Sequence, residues 1–319
     1  MDVKVFSARQ PELRDTGTGT GTVHCGAAHQ KRMLNFKKLL LPLDLEEPSL
    51  AAIQQAGVLA RHFSSEVVIL HTIRRFSDLG LSKQEFAEML KREEDAVDAM
   101  LTPELAGVHT RRVVLKGDPA KAIVETARQE DTGAIVVGPH AYTGLAGRLM
   151  GSVTEGILSA AECPIWACGQ RAVQLGAEAE TVVPELPRHL VICGVDLTER
   201  DRDTLPWAAE MAAAFGARLT LAHVTPGVEI YGPGGFHDIP ELKESLFGAA
   251  ERRMQKLIEE TGVTARTHIA SGDVAHGLND IARQSGAELL VIGRHPARGM
   301  LGGHSYSIVS RSIVPVLAV

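Results

Sequence analysis

The stretch AIVVGPHAYTGLAGRLMGSVTEGILSAAECPIW, from Ala134 to Trp166, decides the fold. Ala134-Ile-Val-Val137 is an apolar run too short for a helix, bounded by Gly133 and Gly138, and reads as a buried strand. A loop of small residues follows, with glycines at 138, 144, 147 and 151. Ser152 with Glu155 three residues later, ahead of Ile157 and Leu158, is a capping box that starts a helix. The order is therefore strand, glycine loop, helix N-terminus. Such an end suits an anion: its first N–H groups have no partner within the helix, and the macrodipole is positive there. The same geometry also serves merely to turn a chain, and Ser152 reads equally as a cap for Glu155.

Working outward, strands alternate with helices. Lys38 to Asp44 reads as a buried strand, and Glu47-Pro48-Ser49 starts a helix with Leu50, Ile53, Gly57, Ala60 and Phe63 on one face. Glu66 to Thr72 is a second strand, and Ser82 to Glu85 a second capping box, its helix carrying Phe86, Leu90, Val97 and Met100. Val113-Val-Leu115 is a third strand. Gly117-Asp118-Pro119 supplies a turn, an N-cap and a first-turn proline, with Ile123, Val124 and Ala127 on the helix that follows. Pro164 to Cys168 is a short fifth strand. This alternation implies a mostly parallel sheet covered on both faces over residues 36–170. Residues 171–187, without apolar periodicity and with Pro184 and Pro187, read as a linker.

The pattern then repeats over 188–319. A shift of 152 residues places Asp44 on Asp196, Phe63 on Phe215 and His71 on His223; a shift of 155 places Gly117-Asp118 on Gly272-Asp273 and Gly138 on Gly293; a shift of 151 places Pro164 on Pro315. Small, nearly constant shifts mean duplication of one unit. The change from 155 to 151 shortens the second glycine loop, Gly293 to Gly303, by four residues.

Spacing in the first loop adds a resemblance. Gly138, two residues, Ala141, nine residues, then Gly151-Ser152 resembles the G-x2-G-x9-G-[ST] signature of the universal stress protein family, with Ala141 standing where the family has its second glycine. Val153-Thr154-Glu155 and Cys163-Pro-Ile-Trp166 are also similar to that family. The resemblance implies two tandem Rossmann-like or flavodoxin-like α/β sandwiches, each with a five-stranded, mostly parallel sheet. It implies pairing of the two repeats through their last strands, Pro164–Cys168 and Pro315–Val319. It further implies a cytosolic stress-response protein that binds ATP, with magnesium possible, and signals through a change of shape or partner. The matching contacts are Asp44 and the Thr72 backbone for the adenosine, and Gly138, Ala141, Gly151, Ser152 and Val153 for phosphate and ribose. Asp44 reads equally as a turn or N-cap aspartate. The shortened loop makes repeat two degenerate or suited to another ligand. A nucleotide-independent interaction module and a slow ATP hydrolase stay open beside this reading; Ala141 and the shortened second loop favour the former.

Other classes are disfavoured. A net charge of −6 and 4% aromatic residues do not suit direct nucleic-acid binding. No run of about 18 apolar residues marks a membrane span. No G-x4-G-K-[ST] loop, G-x-S-x-G elbow or C-x-x-C pair is present, so no catalytic or metal-ligating set is expected. The duplicated histidines His71/His223 and His140/His295 read as structural, with zinc at His268, His276, His295 and His304 left open. Arg148 is the one cation of the first loop and reads as a phosphate contact or a solvated side chain. Cys163 and Cys168 read as core or interface residues. Residues 1–35, with Thr16 to Thr22 alternating threonine and glycine, read as a disordered extension, and Met33 as an alternative start. A homodimer and an unidentified protein partner remain open.

Overall fold

The computed structural model describes residues 35–43, 50–73, 84–138 apart from scattered positions between 86 and 102, 152–169, 186–294 apart from 228, 233, 234 and 239, and 304–319. Repeat one contains β1 (Lys38–Leu43), α1 (Leu50–Phe63), β2 (Glu66–Ile73), β3 (Thr110–Lys116), α2 (Pro119–Gln129), β4 (Ala134–Val137), α3 (Ser152–Ala160) and β5 (Ile165–Ala167). Repeat two contains β6 (Leu190–Gly194), α4 (Asp201–Phe215), β7 (Arg218–Thr225), β8 (Glu229–Gly232), β9 (Gly235–Asp238), α5 (Pro240–Thr261), β10 (Arg266–Ser271), α6 (Val274–Ser285), β11 (Leu289–Ile292), α7 (His304–Arg311) and β12 (Val316–Ala318). No described helix is long and apolar enough to cross a membrane.

Ten strands form one sheet in the order β10-β7-β6-β11-β12-β5-β4-β1-β2-β3. Each repeat contributes five parallel strands in the internal order 3-2-1-4-5. The join is antiparallel, with Ile165, Trp166 and Ala167 opposite Ala318, Leu317 and Val316. The expected pairing of the last strands is therefore found, and it fuses the two expected sheets into one.

The strand runs are apolar throughout because both faces are covered. Leu39, Leu41 and Leu43 face one core, shared with α1 and α4, while Leu40 faces the other, shared with α2, α3, α6 and α7. Each such leucine, removed fully from water, contributes about 1.5–3 kcal/mol. Pro42 is tolerated in a central strand because it lies past the last β1–β4 pair, Leu40 with Ile135. On the α1/α4 side an aromatic cluster crosses the join. Phe63 and its repeat-two counterpart Phe215 meet at 5.8 Å, and Phe36 lies 6.3 Å from Trp207.

Several local expectations correspond to the structure. Asp118 caps α2 by accepting from the Lys121 N–H at 2.9 Å, with Pro119 in the first turn. Asp273 does the same for His276 in repeat two. Gly117 and Gly272 precede these caps at φ of 142° and 120°, values that side chains avoid. Others differ. Leu50 is exposed, since it opens α1 before the helix reaches the core. β3 runs from Thr110, because β2 offers it a partner from Val67 onward. The β8–β9 hairpin was not expected. The capping box at Ser82, the helix residues Phe86, Leu90, Val97 and Met100, the linker apart from Leu186 and Pro187, and residues 1–34 lie outside the described residues.

Candidate functional site

The strand order of repeat one reverses between β1 and β4, and open α/β sheets bind ligands at the carboxyl ends of strands at such a point. The β1–β4 register, Leu39 with Ala134 and Leu40 with Ile135, continues to bring Leu43 level with Gly138. His71 holds this edge in place: its Nδ1 is 3.0 Å from the Leu43 carbonyl oxygen. Thr72, the next residue of β2, is half-buried opposite Leu115 of β3. Thr72 and Gly138 thus flank the end of β1, two strand spacings or about 10 Å apart. The chain leaves β4 through half-buried Gly138 and returns in α3, which begins at Ser152 as expected. Val153 packs its side chain on the core shared with α2. A Cβ at Gly156 would lie 2.8 Å from Ala120 Cβ, so α3 can sit this close to α2 only with glycine there. Asp44, Ala141, Arg148 and Gly151 lie outside the described residues, as does the side chain of Ser152.

At the same edge of repeat two the loop after the first strand is also described. His223 Nδ1 lies 2.9 Å from the Val195 carbonyl oxygen, repeating the His71 contact. His71 and His223 therefore both brace strand ends, while His140 and His295 lie outside the described residues. Asp196, the counterpart of Asp44, accepts from the Thr198 N–H at 3.0 Å and from its hydroxyl at 2.6 Å. Asp201, buried at 4% exposure, accepts from the N–H groups of Asp196 at 3.2 Å and Thr198 at 3.0 Å. Leu197 between them has φ of 61°. The loop after β6 thus already holds a carboxylate of its own on its N–H groups. Burial, and then the neighbouring charge of Asp196, push the Asp201 carboxyl up to about 6. Repeat one has Ser49 at the equivalent position. Ser305 ties the start of α7 to the end of β11, donating to the Gly293 carbonyl at 3.1 Å.

Burial raises the thiols of Cys163 and Cys168 to about 11 and about 12, and pushes Cys193 up as well. Protonated thiols in these places are packing groups rather than nucleophiles. His276 pairs with Asp280 at 3.0 Å, and His268 lies on β10, away from His304 at the start of α7. Among the described residues no group of three or more His, Cys, Asp or Glu side chains is placed to hold a metal ion.

Two five-stranded repeats with a reversal point and a glycine exit after the fourth strand agree with the sequence match to the universal stress protein family, which covers residues 35–169 and again 188–319 of this chain. The chain belongs to the universal stress protein family. Among curated relatives, universal stress protein MJ0531 of Methanocaldococcus jannaschii is 33% identical over 136 residues, covering 41% of this chain and 80% of that protein. Universal stress protein MJ0577 of the same organism is 31% identical over 150 residues, covering 41% of this chain and 93% of its own length. Among solved structures, a universal stress protein from Archaeoglobus fulgidus superposes with a TM-score of 0.63 at 23% identity, over 89% of this chain and 98% of that one. The protein PA1789 from Pseudomonas aeruginosa superposes at 0.60 with 15% identity, over 89% and 92% of the two chains. These two likenesses concern the fold; both span the tandem arrangement.

Proposed function

We propose that this tandem universal stress protein binds ATP at the carboxyl edge of repeat one, in the cytoplasm, and acts as a nucleotide-dependent binding protein in the stress response. The observation that carries the reading is the placement of Gly138 and Thr72 on either side of the end of β1, with α3 the next described element after Gly138, starting at Ser152. Thr72 and Asp44 would take the adenosine. Gly138, Ala141, Gly151, Ser152 and Val153 would take ribose and phosphates on backbone N–H groups at the start of α3. A magnesium ion would enter with the nucleotide and would supply charge neutralisation of its phosphates. Repeat two would stay without ATP, because its β6–α4 loop is occupied by Asp201 and its glycine loop is shorter.

The test is the nucleotide content of the purified protein, released by denaturation and resolved by anion exchange, beside a Gly151→Ala/Ser152→Ala variant. About one adenine nucleotide per chain, lost in the variant, is expected; two per chain would refute the degeneracy of repeat two. A second reading, a nucleotide-independent interaction module, is favoured by Ala141 in place of glycine. Absence of nucleotide, and of binding when ATP and magnesium are added, would establish that reading. Phosphate release lost on Asp44→Ala would instead mark slow hydrolysis.

A further inference from the structure

Helix α3 runs from one carboxyl edge of the sheet to the other. Its second turn packs Gly156 on Ala120, which opens α2 directly after β3 ends, so its first half lies at the carboxyl edge of repeat one. Its last residue, Ala160, leads to β5. β5 starts level with the start of β4, Ile165 with Ile135, and level with the end of β12, at Ala318. Ala318 in turn lies beside Ile292, the last residue of β11. The amino edge of repeat one is therefore the carboxyl edge of repeat two. Nine residues of helix, about 13–14 Å, connect the two.

The far end of α3 is held by repeat two. The Ala161 N–H closes the last turn on the Ile157 carbonyl at 2.9 Å, and the Ala161 carbonyl lies beyond the helical ladder. Arg294 takes it: Nη1 donates to it at 2.6 Å, while Nη2 donates to the Cys163 carbonyl at 3.0 Å. A cation at this end complements the helix dipole, and a charged donor makes the stronger hydrogen bond. The contact is made against a desolvation cost, since burial pulls the Arg294 guanidinium below its ordinary value. Arg294 itself stands on the carboxyl edge of repeat two. Its N–H donates to the main-chain oxygen of Val319 at 2.7 Å. The Gly293 carbonyl just before it accepts from the Ser305 hydroxyl, at the start of α7, at 3.1 Å. The end of β12 and the start of α7 thus set where the guanidinium stands. Such holding matters for α3, because nine residues with a glycine among them do not make a helix that is stable by itself in water.

We propose that Arg294 is a positioning residue of the nucleotide site: from the carboxyl edge of repeat two it holds the far end of α3, and so makes nucleotide affinity at repeat one depend on the arrangement of repeat two's edge. The inference rests on the reading of repeat one as the ATP site. A nucleotide that uses the first turn of α3 binds best when the helix is already in place. By reciprocity, its binding firms the edge on which Arg294 stands.

The test uses the full-length protein freed of nucleotide. ATP with magnesium is titrated by calorimetry, at a temperature at which circular dichroism shows each variant folded. ATP should bind Arg294→Gln about fivefold more weakly than the parent, and Arg294→Lys, which keeps the charge, should fall between the two. Ser305→Ala, which frees the Gly293 carbonyl in repeat two, should weaken ATP by about two- to threefold. The double variant Arg294→Gln/Ser305→Ala should be no weaker than Arg294→Gln alone, because both changes act through one contact. A tie that served stability only would lower the thermal midpoint and leave these affinities as they are. In the parent, ATP should also slow hydrogen exchange of the Arg294 and Val319 N–H groups, and Arg294→Gln should lose that response. A parent that binds no ATP overturns the proposed function and this inference together. Where the parent binds ATP, this inference alone is overturned if Arg294→Gln binds within about twofold of it, if Arg294→Lys is no better than Arg294→Gln, or if the losses of the two single variants multiply in the double variant. Should Arg294→Gln not fold, Ser305→Ala and the exchange response decide, and unchanged values in both overturn it.

Discussion

Replacing Asp201 by asparagine should remove a distinct part of the protein's stability profile between pH 4 and 7. The Asp201 carboxyl is raised from 3.8 to about 6, by burial first and the Asp196 charge second. A carboxyl with a raised folded-state pKa holds its proton more tightly folded than unfolded. Its contribution is therefore fully present below the unfolded value and is lost as pH rises through the folded one. About two units at 1.36 kcal/mol each give a loss on the order of 3 kcal/mol, nearly all of it between pH 4 and 6.5. The asparagine variant cannot show this loss. Urea unfolding of both proteins at half-unit pH steps isolates it as a difference, since the other acids cancel. The stability of the parent minus that of the variant should fall by about 2–3 kcal/mol from pH 4 to 7. Carbon-13 NMR of labelled aspartates should place one carboxyl midpoint near 6, moving down in Asp196→Asn. Parallel stability profiles, or an Asp201 midpoint at or below 4, would refute the reasoning.

Other outcomes follow from the packing. Gly169→Ala would put a Cβ 2.4 Å from the Val314 carbonyl carbon and 2.6 Å from the Ile313 oxygen, both backbone, at the join of the repeats; a loss of about 1–3 kcal/mol in denaturant titration is expected. Trp166→Phe removes the Nε1–H donor held by Gln55 Oε1 at 3.1 Å and leaves a buried acceptor unpaired; about 1–3 kcal/mol should be lost, and Trp166→Phe/Gln55→Leu should recover part of it. In a Cys25→Ser background, Cys163 should react with a disulfide reagent at pH 8 about a hundredfold more slowly than free cysteine, and at the ordinary rate in guanidinium.

What was legible in the sequence follows the range of the forces involved. Runs such as Leu39-Leu-Leu41 and Ala134 to Val137 identify buried strands because both their faces are covered, and the Gly-Asp caps before α2 and α6 are local chemistry. The duplication extends such local signals to the topology and to the pairing of β5 with β12. The β8–β9 hairpin was hidden because Gly232 to Gly235 reads as a plain loop unless its flanks are seen to pair. At the candidate site, Thr72, which only the resemblance singled out, lies near the end of β2, and Gly138 directly follows β4. Asp201 was not legible, since an acid at a helix start has an ordinary local meaning and its role here comes from N–H groups of a folded loop. Arg294 was beyond reach for a different reason: its acceptors are 131 and 133 residues away in sequence and lie in the other repeat.

The antiparallel meeting of β5 and β12 also bears on how this molecule can change. In a dimer of identical subunits every substitution on the two-fold axis is made twice, and each contact must suit its own mirror. A single chain that carries both halves is released from that requirement. Arg294 reaches from repeat two to the carbonyls that follow α3, while its counterpart in repeat one is Pro139, which has no side chain able to return the contact. Glu155 of repeat one and Tyr306 of repeat two are also counterparts, and burial first, then the Glu155 carboxylate, raise the Tyr306 phenol. Fusion has let a symmetric junction acquire a direction, so that two halves descended from one gene can be given unequal tasks without either being lost.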